Sequence, residues 1–194
     1  MPAAKADLAL PLPTLSAATL VLETLDRARE RGAPILAELV GYATNSDGDH
    51  VTRPNRESMS RVMRDALETA GMSAGDVGYV NAHGTATTAG DIAESHATHD
   101  VFGARVPTAS LKGFFGHTLG ACGALEAWLS LEMLRDGWIA PNHNLATIDP
   151  ECADLDYVLP SGGKDPGRAL STDVVMSNNF AFGGINTSLI IRAF

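Results

Sequence analysis

Apolar runs of strand length alternate along this chain with stretches of helical spacing, and the residues that can do chemistry fall where the runs stop. Residues 35–43, 77–82, 106–111, 155–159, 173–176 and 187–192 read as strands. Met59, Val62, Met63, Ala66, Leu67 and Ala70 repeat at helical spacing, with Gly71 as a natural stop. Asp91, with Glu94 three residues on, resembles a capping arrangement that opens a helix to about Phe102. Residues 119–134 are apolar on nearly all sides, as in a helix buried between layers. Residues 19–22 read as a strand, while the charges over 23–31 favour a helix ending at Gly32, and residues 44–49 read as a polar turn. Such alternation restricts the chain to a layered α/β fold with its site at the strand ends.

No internal repeat or linker divides the chain. The expectation is a poorly ordered segment over 1–16 followed by one domain over 17–194. With 45% hydrophobic and 19% charged residues, the composition is that of a compact enzyme. A formal charge of −9 argues against nucleic acid as the main partner, and Arg53, Arg56, Arg61 and Arg64 read as a solvated helix face rather than a docking patch. Two cysteines, Cys122 and Cys152, make no disulfide framework and suit a reducing compartment. No apolar run reaches the ~20 residues of a membrane span. The start lacks a secretory pattern, so the expected location is cytoplasmic, with no membrane partner.

Three islands carry the candidate chemistry. Asn81-Ala82-His83-Gly84-Thr85 follows a strand, so His83 leaves buried backbone directly into a glycine. Lys112 and Gly116-His117 follow the next strand, in an apolar setting where an unpaired ammonium is costly. The stretch 177–186 ends the chain's glycine-rich set with Phe182-Gly183-Gly184. Taken singly, His83 reads as a packed core histidine and Lys112 as a surface lysine about as readily as site residues. Together they read as two imidazoles, a cation and backbone donors around one thioester carbonyl.

These islands resemble those of the elongating β-ketoacyl-acyl-carrier-protein synthases, of the thiolase superfamily. His83-Gly84-Thr85 and Lys112 with Gly116-His117 resemble the family's two histidine motifs. The stretch 177–184 is similar to its Asn-Ser-Phe-Gly-Phe-Gly-Gly turn, and Glu94 matches its buried acidic residue. The resemblance implies a thiolase-like half-domain, a mixed five-stranded sheet with helices on both faces. It implies that His83 and His117 promote malonyl decarboxylation and hold the thioester carbonyl, and that Lys112 tunes them. Phe182 would gate the site and, with Gly183 beside it, contribute its backbone N–H to the oxyanion hole. Glu94 and Thr85 would support the site, or an adjacent structural ion.

The chain corresponds to the family's second half, and the nucleophilic cysteine belongs to the first. No nucleophile is therefore assigned here, nor any cofactor or metal. Cys122, on the apolar helix, reads as packing, and Cys152, between acidic neighbours, as structural. Asn179 and Ala181 stand where the family has Ser and Gly. The histidine pair separates the chain from initiating synthases, which use His and Asn. The lack of a cysteine after Cys152 separates it from degradative thiolases. The implied function is a part of chain elongation in fatty acid or polyketide synthesis. The implied partners are an acyl carrier protein bearing acyl or malonyl groups and a Cys-bearing half or complete synthase, with a homo-oligomer as another possibility. The alternative is a non-catalytic, chain-length-factor-like or scaffolding partner of a complete synthase.

Overall fold

The computed structural model describes residues 16–161 and 167–194. In chain order its elements are α1 (Leu25–Glu30), β1 (Ala37–Ser46), α2 (Arg56–Ala70), β2 (Tyr79–Asn81), α3 (Thr88–Phe102), β3 (Pro107–Ala109), α4 (Lys112–Phe115), α5 (Cys122–Asp136), β4 (Trp138–Ile139), β5 (Asp156–Tyr157), β6 (Arg168–Ala169), β7 (Val174–Ala181) and β8 (Ile185–Ala193). The segment expected to be poorly ordered lies outside the described residues except for Ser16.

The main sheet runs β1-β8-β7-β2-β3-β5. β7, β2, β3 and β5 run parallel to one another, and β8 is antiparallel to both β1 and β7. The sheet is thus mixed, with six strands rather than the five expected. The edge strand β5 is only two residues long. β4 and β6 pair separately.

Strand alternation divides the core in two. Val80, Val174, Met176 and Ile190 face α2 and α3, where they meet Val62, Met63, Ala66 and Ala97. Tyr79, Val175 and Ile191 face the other way and pack with Ala127, Met133 and Leu134 of α5. Helices therefore cover both faces. Each fully buried Val or Met contributes about 1.5–3 kcal/mol through removal from water, so both layers are held chiefly by apolar burial. α2 starts at Asn55, whose side chain accepts from the Ser58 amide, and stops at Gly71 with φ 64°.

Several boundaries differ from the sequence expectations for identifiable reasons. β1 continues through residues 44–46, expected as a turn, because their polar groups are satisfied in place. Thr44 Oγ1 donates to Asn186 O (3.0 Å), and Asn45 Nδ2 donates to Ser58 O (2.8 Å). α3 begins at Thr88, before Asp91, so Asp91 and Glu94 do not cap it. α5 is buried along one side only, since Trp128 is 49% exposed. The final island is strand through Ala181, and the turn is confined to residues 182–184, with Ala181 paired to Ile185. Gly184 there has φ 73°, and a Cβ would lie 2.0 Å from Asp47 Oδ1, so glycine is required on two counts.

Candidate functional site

His83 follows β2, the strand held between β3 and β7. Its backbone is tied from two sides. Glu94 on α3 accepts from the His83 amide (2.7 Å) and the Gly84 amide (2.8 Å), one carboxylate oxygen each. Ser110, just past β3, donates to Gly84 O (3.0 Å). Gly84 (φ 39°) and Ala86 (φ 60°) take the left-handed conformations that this sharp exit demands. The imidazole is turned into the protein, 9% exposed. Burial foremost, then the charges of Lys112 and His117, pushes its pKa down to about 2. His83 is therefore neutral at any physiological pH.

His117 lies between α4 and α5, half-buried. Its Nδ1 accepts from the Leu119 amide (3.1 Å) and lies 3.0 Å from Cys122 Sγ. An Nδ1 that accepts from a backbone N–H leaves the ring proton on Nε2. Leu119 adopts φ 51° to present that amide, a strained choice for a branched residue. Burial, with help from Lys112, holds the His117 pKa below the usual imidazole value. The two rings meet edge to face with centroids 5.3 Å apart. The structure thus brings His83 and His117 together.

Lys112 opens α4 with its side chain buried, and its ammonium pairs with Glu126 of α5. Burial pushes the Glu126 carboxyl up, and the Lys112 charge opposes that shift. The other oxygen of Glu126 accepts from Asn179 Nδ2 on β7 (3.2 Å). Sequence reasoning missed Glu126 and the role of Asn179. The signal for Glu126 was present: a buried lysine needs a counter-charge, and α5 carries an acidic residue inside an otherwise apolar stretch.

The remaining expected residues sit around this centre. Thr85 is half-buried, and its hydroxyl bonds Thr87 (3.0 Å). The aromatic ring beside His83 is Phe180, with centroids 6.2 Å apart, while Phe182 is 73% exposed. The Gly183 amide donates to Val51 O (2.8 Å), which fastens the turn to the loop after β1. Cys122 is buried and accepts from Thr118 Oγ1 (3.3 Å). Cys152 is half-buried, its thiol pushed up by burial. Of the four arginines in the basic cluster, Arg56 and Arg64 both bind Asp100 of α3. They line a surface cavity of about 390 Å³ to which no residue of the histidine site contributes.

A mixed sheet with helices on both faces is the thiolase-like class of fold. Residues 36–146 match the family described as beta-ketoacyl synthase, C-terminal domain, and the chain belongs to that family. It is 42% identical over 183 residues to the 3-oxoacyl-[acyl-carrier-protein] synthase 2 of Staphylococcus aureus strain COL, covering 92% of this chain and 43% of that protein. The synthase 2 of Coxiella burnetii is 39% identical over 180 residues, covering 90% of this chain and 42% of its own length. A crystal structure of a beta-ketoacyl synthase from Burkholderia phymatum superposes with a TM-score of 0.84 at 54% identity, covering 89% of this chain and 41% of that one. A type II polyketide synthase acyl-carrier protein in complex with its ketosynthase bound to the hexaketide superposes at 0.80 with 33% identity, covering 89% of this chain and 42% of that one. The chain spans less than half the length of these relatives. Among the described residues, no helix is long and apolar enough to cross a membrane.

Proposed function

We propose that this chain supplies the histidine–histidine–lysine part of a decarboxylative Claisen condensation between acyl and malonyl thioesters, and that the acyl-carrying cysteine comes from a partner half. In the first step the bond between the malonyl carboxylate carbon and C2 breaks and releases carbon dioxide. Its electron pair moves through C2 to the thioester oxygen. Neutral N–H donors on His83 and His117 stabilise that enolate oxygen. C2 then attacks the acyl carbon held on the partner's cysteine, and the cysteine sulfur leaves with the bonding pair. Lys112 keeps both imidazoles neutral through its charge, and Glu126 holds Lys112 in place. Phe180 supplies an apolar wall, and Phe182 with the Gly183 turn would close over bound substrate. An acyl carrier protein would deliver both thioesters, and Thr85 and Glu94 would keep His83 in register.

The observation that carries this reading is the pair of neutral imidazoles with ring centroids 5.3 Å apart. A non-catalytic scaffold, as suggested by the similarity to a ketosynthase/chain length factor complex at 37% identity, has no need of a buried Lys112–Glu126 pair beside two imidazoles. Carbon dioxide release from malonyl-carrier protein tests the proposal. Slow release by the chain, lost on His83→Ala and on His117→Ala, is expected. Release unaffected by both substitutions would remove the basis for it.

A further inference from the structure

Against His117 lies a thiol that the proposed chemistry does not use. Nδ1 of His117 accepts from the Leu119 amide (3.1 Å) and lies 3.0 Å from Cys122 Sγ. The Thr118 hydroxyl lies 3.3 Å from the same sulfur. A neutral imidazole nitrogen that accepts carries no hydrogen of its own. At 3.0 Å a hydrogen must therefore stand between Nδ1 and the sulfur, because otherwise their lone pairs would face each other. Only the thiol can supply it. That commits the single S–H of Cys122 to Nδ1, so the sulfur meets the Thr118 hydroxyl as acceptor. The chain of donors runs from Thr118 O–H to Sγ, and from S–H to Nδ1 of His117.

We infer that Cys122 is a positioning residue whose thiol, oriented by the Thr118 hydroxyl, donates to Nδ1 of His117 and holds that ring with its proton on Nε2. Burial and the Lys112 charge decide that the ring is neutral. The donors on Nδ1 decide where its one proton sits. Those donors have different footings. Leu119 is 59% exposed and adopts φ 51°, so its amide ties the ring to a strained surface turn. Cys122 is buried and opens α5, whose Ala127, Met133 and Leu134 pack with the sheet, so its thiol ties the ring to the core. A thiol is a weak donor, suited to sharing a lone pair with an amide, and the two together restrain the ring more than either alone. The thiol's role follows from the hydrogen-bond geometry, whereas its catalytic consequence rests on the proposed condensation chemistry.

Infrared spectroscopy of the S–H stretch reads the thiol directly, because the band moves to lower frequency when the thiol donates. The chain has two cysteines, so Cys152→Ala leaves the Cys122 band alone. That band should lie well below the frequency of a free thiol. A band at the free-thiol frequency overturns the inference, as does the absence of any S–H band at neutral pH, and neither reading needs a change at Cys122 itself. Nitrogen NMR of wild type labelled with ¹⁵N at histidine should show His117 with a protonated Nε2 and a bare Nδ1, and an Nδ1–H form would overturn the inference too. Cys122→Ala should move the Nδ1 signal towards that of an unbonded nitrogen. It should also lower kcat for decarboxylation by roughly three- to tenfold, the worth of one neutral hydrogen bond, with KM little changed. Cys122→Ser keeps a donor and should recover most of that loss, whereas a serine variant no better than alanine would show that the thiol only packs. A chain with a bonded S–H and an Nε2–H ring that releases no carbon dioxide would count against the condensation chemistry and leave the role of Cys122 standing.

Discussion

In the proposed reaction His83 and His117 act as uncharged donors, and the cause of their neutrality is local. Burial disfavours the imidazolium in both, and the Lys112 ammonium adds to it. Any loss of malonyl decarboxylation on acidification should therefore be centred below 6.5, where an ordinary imidazole gains its proton. A rate profile run from pH 8 downwards checks this, and a sigmoid loss centred at or above 6.5 would contradict it. Lys112 makes its own test possible. Glu126→Gln leaves a buried ammonium facing a neutral amide, which should cost about 3–5 kcal/mol of stability, seen as a lower denaturant midpoint. The double variant Lys112→Met/Glu126→Leu should regain most of that stability while remaining inactive. Recovery of activity in the double variant would mean that the pair only packs.

At the scale of elements, α3 acts as a clamp on the turn that presents His83. Glu94 holds two amides of the turn, and Asp91, one helical turn earlier, lies buried beneath Thr85 and Ala86. Burial first, and then the Glu94 charge, pushes the Asp91 pKa up to about 7, from an ordinary value of 3.8. A raised carboxyl pKa favours the fold at low pH, and that contribution is lost as pH rises through 7. Asp91→Asn should thus be near neutral at pH 4 and stabilising at pH 8, by at most about 4 kcal/mol. Urea midpoints of both proteins at both pH values check this, and equal differences at the two would contradict it. His83 and Lys112 stood out in the sequence because each lies just past a clear strand, and His117 because it follows Gly116 among small residues. Glu126 was hidden because its partner lies 14 residues away and meets it only through the packing of α4 against α5. Asn179 and Phe180 were hidden for a different reason. A glycine-rich island reads as turn throughout, yet β7 continues to Ala181, and the phase of a strand decides which residue faces His83. The ring beside His83 is accordingly that of Phe180, while Phe182 lies in the exposed turn.

At the scale of the molecule, the site is open on the side where its apolar residues are exposed. Leu119, whose amide holds His117, is 59% exposed, and Phe182 and Trp128 are also largely solvent-facing. The layered α/β arrangement was readable from strand–helix alternation, while the mixed sheet covered on both faces was what the resemblance implied, with five strands where the fold has six. The two-residue strands β4, β5 and β6 were not fully readable, because so short a pairing leaves no periodicity to detect. The chain covers 43% of the length of its Staphylococcus relative, and the proposed nucleophile lies in the part it does not match. Exposed apolar side chains such as these are what the proposed partner half would cover.

Product formation, followed with and without a Cys-bearing N-terminal synthase half, tests this division of labour most directly. The chain alone should release carbon dioxide from malonyl-carrier protein but form no β-ketoacyl product, since no acyl-enzyme forms without a nucleophile. Adding the Cys-bearing half should restore condensation, and His83→Ala or His117→Ala should then abolish it. Condensation by the isolated chain that survives Cys122→Ala would contradict the account, because the nucleophile would then lie within this chain and outside the mechanism described.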